Sequence, residues 1–413
     1  KKLAQWAMDF ALKNGCQAAK VVLYANSNTS FELRDAKMDR LQQASESGMG
    51  INVYVDGRYG NYSTNRLDKK ELETFIKNGI ESTRYLAPDE FRVLADPARY
   101  YTGGKPDLQM FDDKIFGINR IISVETSYSD GENASYRLMS NGFEGESKST
   151  WYSVSASVAI KGEGEARPSD YWYGSSLFYD KLPKTDIGSV ALERVLRKLG
   201  QKKAKSGKYT MVVDPINSGR MLSPVLSALY GSSLQQKNSF LIDKLDQKVF
   251  SDKLTVMDDP HVIGANGSRY FDNEGVATEH RPIFENGVLK TYFFDTYNAK
   301  KMGVAPTISG PSRLVLTPGD KDLNGLIADV ANGILVTGLN GGNSNSNTGD
   351  FSYGIEGFLI ENGKLTQPVN EMNVTGNFLT LWNSLAAIGN DARTDRSWLV
   401  PSLVFEGVDF SGL

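Results

Sequence analysis

The chain has 413 residues, 46 Lys and Arg against 49 Asp and Glu, a net charge of −3 and 40% hydrophobic residues. At about 100–200 residues per domain this length allows two or three domains with a sizeable core, and the composition excludes a disordered or fibrous chain. The charge balance leaves no overall field for nucleic acid or an anionic membrane, and the single cysteine, Cys16, excludes an intrachain disulfide and fits a reducing compartment.

The opening KKLAQWAMDFALKNG carries two lysines before apolar residues, but Gln5 and Asp9 interrupt a signal-like run. Leu3, Trp6, Ala7, Phe10 and Ala11 fall at helical spacing, so an amphipathic helix ending at Asn14-Gly15 is predicted. No apolar run approaches the ~18 residues needed to span a bilayer. The segments 19–25, 30–37 and 50–64 read as a strand meander, with Asp56-Gly57 as a type I′ turn. A helix follows over 68–86, capped by Asp68, with Leu72, Phe75, Ile76, Ile80 and Tyr85 as its buried stripe. Residues 87–108 read as a linker and 108–120 as a helix.

Strands around 121–128 and 134–140 meet turn signals at Asp130-Gly131 and Asn141-Gly142. Trp151–Ile160 alternates strictly, which predicts a half-buried strand whose Ser153, Ser155 and Ser157 form a solvated face. A helix over 184–199 ends at Gly200. The lysine-rich QKKAKSGK (201–208) lacks interleaved aromatics and reads as a solvated linker, placing a boundary near 205. Beyond it come a strand at 209–214, a short helix over 220–230 and a strand running into a helix over 288–303. Asn286-Gly287 and Asn362-Gly363 mark tight hairpins, and the Gly/Asn/Ser-rich 339–350 reads as a mobile surface loop. Neither GxxxxGK[ST] nor GxGxxG occurs, so nucleotide binding has no support.

Cys16, His261 and His280 are the only Cys/His ligands in the chain and lie far apart, so a His/Cys-rich zinc site is not expected. A carboxylate site for a harder cation stays open, since there are 49 acidic residues. Any imidazole base must be His261, beside Asp258 and Asp259, or His280, beside Glu279.

Four blocks, in order, carry a resemblance: SGMGINVYVDGRYGNYST (47–64); SVETSYSD (123–130) with SNGFEGESKSTWYSVSASVAI (140–160); RYFDNEGVATEHRPIFENGVLKTYFFDTYNAKKMG (269–303); and TGDFSYGIEGFLIENGKLTQPVNEMNVTGNFLTLWNSLAAIGND (348–391). Together they resemble the TldD/PmbA family, long labelled modulators of DNA gyrase. TldD-type members resemble zinc peptidases with a helical His-Glu-x-x-x-His motif and a cysteine nearer the C-terminus; imidazoles and a thiolate hold the metal and the glutamate deprotonates water. The matching segment here is Met221–Tyr230, where Ser223 and Ala228 stand at the histidine positions and Pro224 at the glutamate, and no cysteine follows Asp391. Ser223-Pro224 would suit an N-cap followed by the first helical residue, with Val225 and Leu229 buried behind it.

The resemblance therefore points to the PmbA/TldE-type branch. It implies an α+β fold of mixed, largely antiparallel sheets with packed helices: an N-terminal region (1–90), a central region (108–200) and a large β-rich C-terminal domain (206–413). It implies no metal, no cofactor and no catalytic residue in this chain, which would act in the cytoplasm as the non-metal partner of a TldD-type zinc subunit in peptide processing, with a homodimer open for the chain alone. Asn343, Asp350, Phe351, Asn390 and Asp391 are the candidates for lining a peptide cavity, since Gly/Asn-rich loops beside strands admit an extended backbone. The competing readings are an autonomous hydrolase built on His261 or His280, and a regulatory module binding gyrase or toxin-antitoxin proteins.

Overall fold

In a computed structural model of the chain, the residues described are 2–34, 37–89, 91–94, 97, 120–138 and 143–413. They fall into two compact units, 1–119 and 120–413. The helix expected at 108–120, most of the 87–108 linker and the Asn141-Gly142 turn lie outside the described residues.

In the first unit, α1 (Lys2–Lys13) and α2 (Lys69–Thr83) pack with an antiparallel sheet ordered β1 (Ala18–Arg34), β2 (Lys37–Val55), β3 (Arg58–Thr64). Met49, Ile51, Val53 and Val55 alternate along β2 and meet Ala7 and Ala11 of α1 and Leu72, Ile76 and Ile80 of α2 in one core. Asp68 caps α2 by accepting from Lys70 N and Glu71 N. Asp56 (φ 50°) and Gly57 (φ 69°) form the left-handed pair that a type I′ turn requires. Two expectations change. Residues 19–25 and 30–34 belong to one strand, and Tyr85 lies past the helix end, 87% exposed.

The second unit opens with a sheet of β4 (Ile121–Leu138), β5 (Glu144–Ile160) and β6 (Ser169–Ser176), covered by α3 (Ile187–Leu196). Ala156, Val158 and Ile160 pack on Ile187, Ala191 and Val195, and the serine face carries a Ser127–Ser155 hydroxyl pair at 2.7 Å. Asp130-Gly131 is no turn. β4 runs straight through it, and Gly131 sits opposite Trp151, whose indole occupies the space a Cβ would need.

Two further sheets follow. The larger is ordered β14-β13-β12-β7-β17-β15, from β7 (Gly207–Val213), β12 (Asn332–Ser344), β13 (Asp350–Glu361), β14 (Lys364–Asn377), β15 (Leu385–Ile388) and β17 (Leu403–Ser411), with an extra β14–β17 pairing. The smaller is β10-β9-β8-β11-β16, from β8 (Val256–Asp258), β9 (Arg281–Glu285), β10 (Val288–Leu289), β11 (Leu314–Leu316) and β16 (Trp398–Leu399). Five helices accompany them: α4 (Ser218–Ser227), α5 (Gly231–Gln235), α6 (Thr296–Met302), α7 (Leu323–Ala328) and α8 (Phe378–Asn383). Phe250, Phe284, Phe378, Trp382 and Phe405 fill the core of this region, which is the β-rich C-terminal part of a mixed, largely antiparallel α+β fold.

Both Asn-Gly hairpins form, with Asn286 and Asn362 at φ 48° and 51°. Residues 339–344, however, extend β12 and pair with β13 on either side of a register shift at Gly341-Gly342, so the loop is confined to the short turn between these strands. Residues 201–206 do not float free: Lys202 bridges to Val369, and Ala204 is 5% exposed in the main core.

Candidate functional site

Helix α4 and the residue that ends it carry the three positions at which the resemblance would place zinc chemistry. It is launched from β7 through Asp214, whose carboxylate accepts from Asn217 N (2.9 Å) and Asn217 Nδ2 (2.8 Å). Burial pushes the Asp214 carboxyl up to about 6 despite those bonds. Ser218 Oγ donates to the Val400 carbonyl at 2.9 Å, tying the start of the helix to the segment that follows β16.

The helix begins at Ser218, so Ser223-Pro224 is interior and not a cap. Proline there lacks the donor that would reach the Arg220 carbonyl. Met221, Leu222, Val225 and Leu226 form the buried side, and Ala228 and Leu229, just past the helix, are 0% exposed. A serine hydroxyl, a proline and a sealed alanine do not make a zinc site, and among the described residues no group of three or more His, Cys, Asp or Glu could hold a metal.

The other side of α4 faces a cavity of about 550 Å³, where Gly219, Arg220 and Ser223 meet Tyr173, Arg396 and Trp398. Tyr173 also borders a second cleft of about 610 Å³, with Trp172, Ser175, Arg313, Asp391, Arg393 and Asp395 on its walls. Arg393 grips Asp395 through Nε–Oδ1 (3.0 Å) and Nη2–Oδ2 (2.5 Å), and Ser175 Oγ donates to the same carboxylate at 3.1 Å. Burial works against both charges, but their mutual attraction holds the Arg393 pKa up and the Asp395 pKa down. The Arg393 guanidinium lies over Tyr173 (4.2 Å) and Trp172 (5.0 Å), and Arg396 donates to the Tyr173 hydroxyl. The result is a wall of fixed cations and aromatic faces, which can hold and orient a chain but presents no paired nucleophile and base.

The histidines lie elsewhere in chemical terms. His261 Nε2 bonds Thr278 Oγ1 at 3.1 Å and its ring packs near Tyr270. Asp258, 1% exposed, instead accepts from Ser312 N and Arg313 N, and Asp259 pairs with Arg313 at 3.6 Å. His280 is exposed, and its neighbour Glu279 pairs with Arg281 at 3.1 Å. Among the described residues, neither imidazole is bonded to a carboxylate as a triad would require.

Of the cavity candidates, Asp391 alone borders the second cleft, where it accepts from Ser402 N (2.8 Å), Ser402 Oγ (2.7 Å) and Leu323 N (3.1 Å). Asn390 is exposed and donates to the Asp320 carbonyl. Asn343 is exposed on β12, and exposed Asp350 accepts from Thr348 and Asn377. Phe351 is 5% exposed and packs on Tyr353 and Phe378 in the core. Tyr173, Arg220, Arg393 and Arg396 line these two cavities and are not among the candidates read from the sequence. The signal that could have found the last two is the charged run DARTDRSW (391–398), directly after the fourth family block.

Three family models match the chain: PmbA/TldA metallopeptidase domain 1 at residues 19–83, the central domain at 104–199 and the C-terminal domain at 206–412. A metalloprotease PmbA homologue from Haemophilus influenzae is 27% identical, covering 100% of this chain and 96% of the relative. A crystal structure of a candidate modulator of DNA gyrase from Bacteroides thetaiotaomicron is 70% identical, with a TM-score of 0.71 and coverage of 100% of this chain and 98% of that one. The crystal structure of TldE from Thermococcus kodakarensis, 19% identical, shares the fold at a TM-score of 0.62 over 99% of this chain and 100% of that one.

Proposed function

The chain belongs to the PmbA/TldD metallopeptidase family, and on that premise we propose that it serves proteolysis as a subunit without metal, completing the peptide-holding cavity of a TldD-type zinc partner. The family supports a role in proteolysis, and the observation that carries the finer reading is on α4 and at its C-terminal end. Ser223, Pro224 and Ala228 stand where the resemblance puts the metal ligands and the base, and they lie respectively at a cavity wall, inside the helix and sealed in the core. Proline and alanine can neither ligate zinc nor move a proton, and a neutral serine is a poor zinc ligand, so cleavage falls to the partner and holding falls to this chain. The aromatic and cationic walls around Tyr173 suit that task. The same reading places the complex in the cytoplasm, acting on peptides; among the described residues no helix is long and apolar enough to cross a membrane.

Two measurements test this. Metal analysis of the purified chain should find no stoichiometric zinc, and mixing with a TldD-type paralogue should yield a 1:1 complex that cleaves peptides neither chain cleaves alone. One zinc per chain would overturn the assignment. So would cleavage by this chain alone that His261→Ala or His280→Ala abolishes.

A further inference from the structure

The cavity beside α4 has an unusual charge inventory. Its lining includes two arginines, Arg220 and Arg396, but no aspartate or glutamate. Neither guanidinium forms an ion pair among the described residues: Arg220 donates to the Leu339 carbonyl at 2.6 Å, and Arg396 to the Tyr173 hydroxyl. The acid next in sequence, Asp395, is occupied by Arg393 and Ser175. Each guanidinium thus keeps donors free beyond its one neutral bond. Ser223 and Ser397 add hydroxyls, and Ile216 and Trp398 add an apolar wall.

Two cations with no ion pair of their own, in a concave and partly apolar site whose lining holds no carboxylate, favour an anion attached to an apolar body, although Arg396 also feels the Asp395 charge next to it. We propose that this cavity binds the C-terminal carboxylate of a peptide, with Arg220 and Arg396 bonding the carboxylate and the wall at Ile216 and Trp398 receiving the last side chain. The proposal rests on the peptide-holding reading above and gives it a polarity: the peptide's C-terminal end is anchored beside α4.

The test is calorimetric titration of the full chain with Ac-Ala-Ala-Leu as the free acid, as its amide, with Ac-Ala-Glu-NH₂, and with inorganic phosphate. The free acid should bind about tenfold or more tighter than the amide, as a charge-assisted pair implies. Arg396→Gln should reduce acid binding to the amide level without changing the amide. Arg396→Lys, which keeps the charge without the fork, should fall between. Arg220→Gln provides a second reading should the Arg396 variants fail to fold. Equal binding of acid and amide, or no binding of either, overturns the proposal. Tighter binding of the glutamate peptide or of phosphate than of the free acid overturns it in favour of those anions. Loss of this preference with the 1:1 complex intact would remove the pocket assignment alone; its persistence without a complex would remove the subunit reading alone.

Discussion

At the residue scale, Asp214 makes the sharpest prediction. Its carboxyl is raised by burial from 3.8 to about 6, so the folded protein holds the proton more tightly than the unfolded chain. This contribution is fully present below about pH 4 and is lost as pH rises through about 6, at most about 3 kcal/mol in all. Asp214→Asn, which keeps an acceptor for Asn217, should flatten that part of the stability profile and leave the variant the more stable protein at pH 7. Denaturant midpoints between pH 4.5 and 7.5 measure it; parallel profiles for the two proteins would refute it. Single residues with local jobs were legible in the sequence: Asp68 caps its helix and Asp56-Gly57 turns its hairpin, because the partner groups lie within a few positions. Tyr173, Arg220 and Arg396 were not, since their common cavity exists only after three distant segments have been brought together.

At the element scale, β12 shows why composition misleads. A run of Gly, Asn and Ser reads as a loop, yet it continues a strand through a register shift between Asn340 and Asn343. Gly341 and Gly342 take φ of 70° and 98°, which an ordinary side chain rarely adopts, and a Cβ on Gly342 would lie 2.2 Å from the Ser352 carbonyl oxygen. Glycine is thus the condition for pairing here and not the sign of its absence. Gly342→Ala should cost on the order of 2–4 kcal/mol in denaturant unfolding; a cost below about 0.5 kcal/mol, the usual range for surface changes, would show that the bulge relaxes freely. Helix α4 teaches the converse lesson. Ser223-Pro224 has the local chemistry of a helix start, but the turn at Asp214–Asn217 starts the helix earlier and packing on Val225 and Leu226 keeps the proline inside.

At the scale of the whole molecule, the central and C-terminal regions match separate family models yet form one compact unit. The joint is visible at Lys198. Its ammonium, 6% exposed, sits between Asp170 (3.1 Å) and Glu356 (2.7 Å) and donates to the Ser169 carbonyl at 2.9 Å. Arg197 lies over Phe358 at 5.0 Å beside it. Removing one member of such a buried network leaves uncompensated charge, so Lys198→Met should cost about 3–5 kcal/mol. It should also expose the 201–206 segment to limited proteolysis. An unchanged denaturant midpoint with unchanged cleavage would mean that other contacts hold the regions together. Many helices and strands were readable from periodicity and turns, and the α+β class from the family resemblance, but this joint was not: Lys198 and Glu356 are 158 positions apart.

The extra pairing of β14 with β17, Asn373–Thr375 against Asp409–Ser411, turns five strands of the larger sheet into a ring. A closed ring has no terminal strand on which another chain can template itself. β15 stays outside the ring, but it has only four residues, and residues 319–321 lie against the segment just beyond it through Gly319 N to Gly389 O and Asn390 N to Lys321 O. In a protein whose proposed ligands are peptides, the largest sheet thereby offers them almost no free edge to extend, and recognition is left to side-chain-lined clefts.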